Sequence, residues 1–567
     1  MKKVISVFLA VVMVFSVFAV TAAAVTNEKV KYPMIFIAGS SVDLVDGEGN
    51  PISTGIEVLT DDDEGDSMGA DKIVETTVNI LKPFVMEGLL QDKWDNYGKV
   101  LYDEFAPIWD EGQLDGNGNP KYGTGVSPEE IAHWDNIAST VDHGKDGTFG
   151  YADYKFRYDW RLSPYDHVDR LHEFIKTVLT TTKCEKVCLI GRCLGGNVVT
   201  AYLEKYGSEG LVAKAVYDEV MSNGSTTVND SFCGRIKFSD KHIQAYLLES
   251  EHFGKDDIGV DLRGINELVL DAVKKTVDAA VQTGALQVGL GGIERLYEMV
   301  AEAFLPAMLR ATGLGTWPSY WTSLNAQDFD VALNLIFGKE GSEVREENAG
   351  LVNKILYLRD HIVIPGSLEG DANLYKKFEK EYGVEIGILA GYGLLQGPIT
   401  ESSDDTGDCT VDLKSSSFGA TAAGVFDTLS DEYIAERTAL GYGDYISADR
   451  KVDASTCLFP ETTWIIKNKH HDTMTGYYLI EKFCQYKDFT VSNNYKGFDR
   501  FLVASLEKYG TNSFENMTED NCADGYWITD IVQQPTLKTK AEALISFLKT
   551  FFEVIKELFN GNITLDF

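Results

Sequence analysis

The chain has 567 residues, of which 44% are hydrophobic and 24% are charged, and this composition is typical of a globular protein with a large core. Aspartate and glutamate number 87 against 51 lysines and arginines, which gives a formal net charge of −36 at pH 7. A surface this acidic repels phosphate backbones and anionic lipid head groups. Nucleic-acid binding is therefore the least favoured class of function, and we expect no nucleic-acid partner.

The N-terminus has the layout of a secretory signal. Two lysines after Met1 precede an uncharged apolar run at residues 4–20, and an alanine triplet follows at residues 22–24. We expect cleavage near Ala24 and a secreted, extracellular mature protein. A retained membrane anchor is the alternative, which we favour less because the apolar run barely reaches the length needed to span a bilayer.

Apolar runs of strand length alternate with amphipathic helices along much of the chain. Two helical patterns, at residues 166–179 and 194–206, separate three runs in a strand–helix–strand–helix–strand series. Such a series predicts a mostly parallel sheet with helices on its faces, an α/β fold. The predicted strands lie at residues 32–40, 154–158, 186–190, 211–217, 384–390 and 462–466, the last of which should end the sheet.

Helical patterns dominate between residues 221 and 351, which predicts a helical cap inserted into the sheet domain. Within the cap, core packing of the aromatic cluster at residues 317–321 is favoured over contact with an acyl chain or a membrane. The chain ends in an amphipathic helix over residues 541–559, which we expect to dock on its own domain rather than on a membrane or partner. The expected regions are a signal peptide at 1–24, two parts of the core at 25–220 and 352–535, the cap at 221–351 and the C-terminal helix at 536–567.

The segment GRCLGG at residues 191–196 lies between a predicted strand and a predicted helix. Glycines two positions before and two after Cys193 let a strand and a helix approach around a strained turn, as in the Gly-x-Ser-x-Gly elbow of α/β hydrolases. Cys193 occupies the position of the nucleophilic serine, and the helix N-terminus, Arg192 and a facing histidine would favour its thiolate form. The alternative is a small buried cysteine in an elbow that has lost its chemistry.

A catalytic triad also needs an acid and a base, which follow the nucleophile in that order in this fold. Asp408, in the sequence GDCTV, follows a predicted strand and is the candidate acid, with Asp404 and Asp405 as competitors. His470 and His471 follow the last predicted strand, and we favour His471 as the base. A histidine pair in a surface turn is the alternative.

Metal and cofactor sites are not indicated by the sequence. The eight cysteines are sparse, no Cys and His set has zinc spacing, and disulfide pairing stays open. The segment DGNGNP at residues 115–120 has Asp and Asn at alternate positions, as calcium loops do. It lacks the glycine and the closing glutamate of such a loop, so a hairpin turn is favoured.

Four short segments, taken in order, resemble one known family. The early strand ends in Ala-Gly at residues 38–39, FRYDWRLSP lies at 156–164, GDCTV lies at 407–411, and His471 with Met474 gives His-x-x-Met. They are similar to the Pro-Gly, Tyr-Asp-Trp-Arg-Leu, Gly-Asp-Gly-Thr-Val and His-x-x-Met segments of the lecithin:cholesterol acyltransferase and phospholipid:diacylglycerol acyltransferase family, which includes a lysosomal phospholipase. The likeness covers roughly residues 30–220 and 384–475.

The resemblance implies an α/β-hydrolase fold in which Cys193 is the nucleophile, Asp408 the acid and His471 the base. It also implies an oxyanion hole made by the backbone N–H groups of Ser40 and Leu194.

Two positions depart from the family. Sulfur at Cys193 requires the site to accept a larger atom with longer bonds than oxygen. Cys409 stands where the acid motif usually has glycine, and a disulfide through Cys409 would tie down the acid loop.

Together, the residues and the resemblance predict a secreted lipase, esterase or acyltransferase that acts on lipid-like esters through an acyl-enzyme on Cys193. Its partners would be a lipid or other ester and, transiently, a membrane surface reached through the cap or the C-terminal helix. One alternative is a catalytically inactive α/β-hydrolase module that binds a lipid or a partner. Another is a thiol hydrolase of small substrates, similar to dienelactone hydrolases, which the long cap disfavours.

Overall fold

The structure is a computed structural model that describes residues 29–52, 97–222, most of 224–249, 303–368, 373–397, 400–494, 497–505 and 513–529. The predicted signal peptide, the predicted C-terminal helix and the part of the predicted cap between residues 251 and 302 lie outside the described residues. Among the described helices, none combines the length and the hydropathy needed to cross a bilayer.

A sheet of eight strands forms the centre of the fold. Its strands lie in the order β8-β7-β6-β5-β4-β3-β1-β2, and all neighbours are parallel except β7 and β8. The predicted α/β fold with a mostly parallel sheet is confirmed. The strands are β1 Met34–Ile37, β2 Tyr154–Phe156, β3 Val187–Arg192, β4 Val212–Asp218, β5 Glu385–Tyr392, β6 Thr463–Lys467, β7 Phe501–Ala504 and β8 Phe514–Asn516.

Helices follow most of the strands and bury their apolar faces. For example, α3 places Leu171, Ile175 and Val178 on one buried face, as helical spacing requires. The α4 helix packs directly on β3. The principal helices are α1 Tyr97–Phe105, α2 Pro128–Thr140, α3 Val168–Thr182, α4 Gly195–Tyr206, α5 Thr226–Cys233, α6 Phe329–Phe337, α7 Ala349–Leu358, α8 Leu374–Tyr382, α9 Asp431–Ala439 and α10 Tyr477–Gln485.

Two further strands, β7 and β8, lie beyond the strand predicted at 462–466. The expectation that this strand ends the sheet is therefore wrong. The β7 strand has only four residues, and β8 carries a charged and an amide side chain with no clear alternation. Both strands are stabilised by pairing with their neighbours rather than by a local pattern, since Leu502 pairs with Asn516 and Ile466 with Leu502.

The described part of the predicted cap is helical, with its own apolar core. Phe232 of α5, Leu333 of α6 and Leu351 of α7 pack in this second core. Trp317 and Trp321 are 2% and 0% exposed, so the expected core packing of the aromatic cluster is confirmed for these two side chains. The boundaries of the five predicted regions stay predictions.

The segment DGNGNP forms a hairpin turn, as expected. The N–H of Asp115 donates to the carbonyl oxygen of Asn119 at 2.8 Å, and the Asp115 carboxylate accepts hydrogen bonds from the N–H groups of Asn117 and Asn119. The carboxylate therefore serves the turn itself.

The carboxyl ends of the central strands lie side by side. Arg192 at the end of β3 pairs with Asp218 at the end of β4, and Lys467 at the end of β6 pairs with Tyr392 at the end of β5. Residues that follow these strands therefore meet at one edge of the sheet, which is where α/β folds place their sites.

The FRYDWRLSP segment is fixed by a fully buried arginine. The Arg161 guanidinium makes two hydrogen bonds to the Asp159 carboxylate, at 3.0 and 2.6 Å. It also donates to the carbonyl oxygen of Gly112 at 3.0 Å and to the Thr124 hydroxyl at 3.2 Å. A planar guanidinium can satisfy all these acceptors at once, and the segment is thereby joined to residues 112–124.

We expect Arg161→Ala to lower the free energy of unfolding by about 3–5 kcal/mol, because it leaves the buried Asp159 charge without its partner. The control is Arg359→Ala, whose pairs with Asp330 and Asp360 lie at the surface, where such pairs contribute about 1 kcal/mol or less. Urea unfolding followed by tryptophan fluorescence measures both. Equal shifts of the two variants would contradict the structural role of Arg161.

Candidate active site

Cys193 lies in the turn between β3 and α4 with a backbone φ of 52°, in the left-handed region that non-glycine residues rarely adopt. Its N–H donates to the carbonyl oxygen of Asp218, and its own carbonyl accepts from the N–H of Gly196, both at 3.1 Å. The strained turn predicted from GRCLGG is therefore present, with its cysteine at the carboxyl edge of the sheet.

Three glycines make room for this turn. A Cβ atom on Gly191 would lie 2.5 Å from the Cα of Gly196, and one on Gly195 would overlap the carbonyl oxygen of Ile37. A Cβ on Gly39 would lie 2.7 Å from the Cβ of Cys193 and 3.0 Å from its sulfur. Only glycine fits at these positions, so β1, β3 and α4 approach closely around Cys193.

His471 and Asp408 meet at the same edge. The Nδ1 atom of His471 lies 2.9 Å from Oδ2 of Asp408. In addition, the backbone N–H of His471 donates to the backbone carbonyl oxygen of Asp408 at 2.9 Å. The other carboxylate oxygen, Oδ1, accepts hydrogen bonds from the N–H groups of Thr410 and Val411 at 2.9 and 2.6 Å. The fully buried carboxylate is therefore fixed in orientation, and it fixes the imidazole ring.

The charges of these groups depend on one another. Burial by itself would lower the pKa of His471, but the Asp408 carboxylate and the Cys193 sulfur raise it well above the usual 6.5 through charge and hydrogen bonding. Burial by itself would raise the pKa of Asp408, but His471 and the backbone N–H groups of Val411 and Thr410 hold it below its usual value. The Asp408 carboxylate and the Cys193 sulfur therefore both favour the protonated form of the His471 ring.

The structure brings together Cys193, Asp408 and His471, since His471 is hydrogen-bonded to both of the others. Of the competing acids, Asp405 is hydrogen-bonded to the Thr226 side chain. Asp404 lies 2.9 Å from the ring of His242. The ring of His470 accepts a hydrogen bond from its own loop, from the N–H of Asp472 at 3.2 Å. Of the two adjacent histidines, it is His471 that pairs with Asp408.

The two residues expected to form an oxyanion hole also lie beside Cys193. Leu194 follows it directly, and a Cβ on Gly39 would lie 3.1 Å from the Leu194 nitrogen, so the loop that carries Ser40 packs against the elbow. Within the described residues, no hydrogen bond uses the backbone N–H of Ser40 or of Leu194.

Next to the site lies a buried ionic cluster that was not predicted from the sequence; it consists of Arg192, Asp218, Glu219 and Lys469. The Lys469 ammonium lies 2.6 Å from the Glu219 carboxylate and 3.4 Å from that of Asp218. The Arg192 guanidinium lies 3.4 Å from Glu219. Glu219 and Lys469 are both fully buried. An Asp-Glu pair directly after an apolar strand is the signal that could have indicated this cluster.

Arg192 also joins the elbow to the loop that carries His471. Its guanidinium donates to the carbonyl oxygens of His471 and Thr473, the latter at 2.8 Å, and contacts the sulfur of Met474 at 2.7 Å. The methionine of the His-x-x-Met segment therefore packs against the residue that precedes Cys193.

Glu219, Asp408 and His471 each offer one potential metal-ligand atom within 4.8 Å of the others. The Lys469 ammonium, however, already pairs with Glu219, and Nδ1 of His471 already pairs with Asp408. A cation at this position would have to displace both contacts, so the donor set fits a charge-paired site better than a metal site.

All eight cysteines fall within the described residues, and each is a free thiol. The disulfide considered for Cys409 is therefore wrong for this structure. Its thiol donates to the carboxylate of Glu249 at 3.2 Å, at a backbone φ of 82° that explains why glycine is usual here. Burial raises the pKa of Glu249 to about 8.

The lecithin:cholesterol acyltransferase family model matches residues 141–253. This match contains FRYDWRLSP and the elbow but neither Asp408 nor His471, and it covers less than half of the chain. The chain is thus similar to that family over this region.

Among solved structures, a chain of the Tle4–Tli4 complex is similar over 64% of this chain and 75% of that chain, with 15% identity and a TM-score of 0.23. No curated protein matches the chain.

We expect Asp408→Asn to lower the pKa of His471, because the carboxylate that raises it is removed. Since the folded-state pKa of His471 lies above its unfolded value, the linked stability is fully present below about 6.5 and is lost as pH rises through the folded value. The part of the stability difference between wild type and Asp408→Asn that comes from His471 should therefore shrink as the pH rises through the folded-state pKa of His471 in wild type.

Histidine ring NMR titration measures the shift, with the His471 signal assigned from a His471→Gln spectrum. Asp404→Asn is the matched control, because Asp404 pairs with His242. An unchanged His471 titration in the Asp408 variant would contradict the pairing.

Proposed function

We propose that this protein is a secreted lipase, esterase or acyltransferase that cleaves lipid-like esters through an acyl-thioester on Cys193. The observation that supports this proposal best is the hydrogen-bonded pair of His471 and Asp408, 2.9 Å apart, facing a sulfur held in a strained elbow. A buried structural cysteine needs neither an imidazolium partner nor free backbone donors beside it.

In the first step, the Cys193 thiolate attacks the ester carbonyl carbon, and the carbonyl electron pair moves onto oxygen. The N–H groups of Ser40 and Leu194 would bind this oxyanion, and each such donor typically contributes about 10²-fold or more in rate. As the intermediate collapses, the carbon–oxygen bond to the alcohol breaks. The His471 imidazolium gives its proton to the departing alkoxide, leaving the acyl group on sulfur.

In the second step, neutral His471 accepts a proton from water or from an acceptor alcohol, whose oxygen attacks the thioester. The carbon–sulfur bond breaks and the sulfur leaves as thiolate beside the re-formed imidazolium. Asp408 stays ionised and stabilises that imidazolium through Nδ1. Water gives hydrolysis, and an alcohol gives acyl transfer.

Similarity to the lecithin:cholesterol acyltransferase family covers the region of the elbow and supports an apolar acyl group as part of the substrate. Export is supported by the signal-like N-terminus, and the strongly acidic composition favours a neutral or cationic substrate surface.

The test uses intact-mass analysis and p-nitrophenol release with p-nitrophenyl esters of several acyl chain lengths. Wild type should gain the mass of one acyl group, mapped to Cys193 and removed by neutral hydroxylamine, as a thioester is. Cys193→Ala should lose the adduct and about 10³-fold or more of the rate. Cys522→Ala, which removes a thiol remote from the site, is the matched control and should behave as wild type.

Lack of ester turnover in wild type, together with a Cys193 that does not react with iodoacetamide in the folded protein, would contradict the enzymatic proposal. That result would favour the alternative of an inactive module that binds a lipid or a partner.

A further inference from the structure

His471 faces a second carboxylate besides that of Asp408. The Oε2 atom of Glu219 lies 4.0 Å from Nδ1 of His471, the same nitrogen that lies 2.9 Å from Oδ2 of Asp408. The two carboxylates reach the ring from different parts of the sheet, since Glu219 directly follows β4 and Asp408 lies in the loop region after β5.

The fold makes specific room for Glu219. Its backbone φ is 50°, a left-handed conformation that a glutamate adopts at a cost, and its N–H donates to the carbonyl oxygen of Leu389 at 2.9 Å. A Cβ atom on Gly391 would lie 2.9 Å from both Oε1 of Glu219 and the Cβ of Asp408. The absence of a side chain at Gly391 therefore lets both carboxyl groups approach the ring.

The two carboxylates compete for ionisation. Burial raises the pKa of Glu219 well above its usual range, Lys469 and Arg192 oppose this, and the charge of Asp408 raises the pKa further. Removing Asp408 takes away one of these causes, so Glu219 ionises more readily beside His471. The titratable and charged groups that face Glu219 are Tyr151, Arg192, Asp218, Asp408, Lys469 and His471.

We propose that Glu219 is a positioning residue, a second carboxylate that orients His471 and replaces Asp408 as its partner when Asp408 is removed. This inference rests on the proposed function, in which His471 is the general acid and base. Lys469 and Arg192 hold the Glu219 carboxylate near the His471 ring. The ionic cluster that links the elbow to the loop of His471 therefore also supplies the second carboxylate.

The test compares Asp408→Ala, Glu219→Gln, the double variant and His471→Ala by kcat/KM on p-nitrophenyl esters as a function of pH. We expect Glu219→Gln alone to lose about tenfold or less. Asp408→Ala should keep at least about tenfold more activity than the double variant, which should fall to the level of His471→Ala. The alkaline limb should move to lower pH in Asp408→Ala and lower still in the double variant, because each lost carboxylate weakens the hold on the His471 proton.

Asp404→Asn combined with Asp408→Ala is the matched control, since Asp404 pairs with His242 and belongs neither to the ionic cluster nor to the Cys193–His471–Asp408 site. This second double variant should keep the activity of Asp408→Ala. Equal loss in the Asp404 and Glu219 combinations, or an Asp408→Ala variant as inactive as His471→Ala, would overturn the positioning role.

NMR titration of His471 separates this inference from the proposed function, because it needs no turnover. The pKa of His471 should be higher in Asp408→Ala than in the double variant. Equal values would overturn the role of Glu219 even if Cys193 forms an acyl-enzyme, whereas different values would support it even if no ester is cleaved.

Discussion

Cys193 has a left-handed backbone between a buried strand and a buried helix, and the rest of the site is built around that turn. Such a conformation costs about 1–3 kcal/mol for a residue with a side chain, and it persists only where the surroundings determine it. Here β1, β3 and α4 approach so closely that Gly39, Gly191 and Gly195 have no room for a Cβ. The turn presents the sulfur at the carboxyl edge of the sheet, next to the loop that carries Ser40.

A second constraint comes from charges buried beneath the turn. Arg192 and Lys469 are balanced against Asp218, Glu219 and Asp408, and desolvating these groups is costly unless each has partners. Their contacts connect the elbow, the end of β4 and the loop that carries His471. The position of the histidine relative to the sulfur therefore depends on electrostatic pairing as well as on the sheet.

The short motifs predicted the strained turn at Cys193 and the meeting of Asp408 with a histidine, because each motif constrains the backbone geometry around it. GRCLGG needs glycines where strand and helix touch, and GDCTV supplies the two N–H groups that hold the Asp408 carboxylate. The choice of His471 over His470 was only a preference, since adjacent residues point in different directions and the fold decides which one meets Asp408.

Other features depend on partners distant in the chain. The two last strands of the sheet form through pairing with their neighbours at the sheet edge, and no local alternation of apolar and polar residues predicts them. They are Phe501–Ala504 and Phe514–Asn516. Glutamate and lysine are almost never fully buried unless they are paired, and the mutual pairing of Glu219 and Lys469 allows both to be buried here. The free thiol of Cys409 likewise depends on Glu249, a residue 160 positions earlier.

The central claim is that the Cys193 sulfur reacts while His471, oriented by Asp408, and two backbone donors surround it. A crystal structure of the protein treated with an alkyl trifluoromethyl ketone, which forms a tetrahedral adduct with a reactive thiolate, tests this most directly. We expect continuous density from the Cys193 sulfur to the ketone carbon, with the adduct oxygen within hydrogen-bond distance of the Ser40 and Leu194 nitrogens and His471 still paired with Asp408. An unmodified Cys193, or an adduct oxygen directed away from both nitrogens, would contradict it.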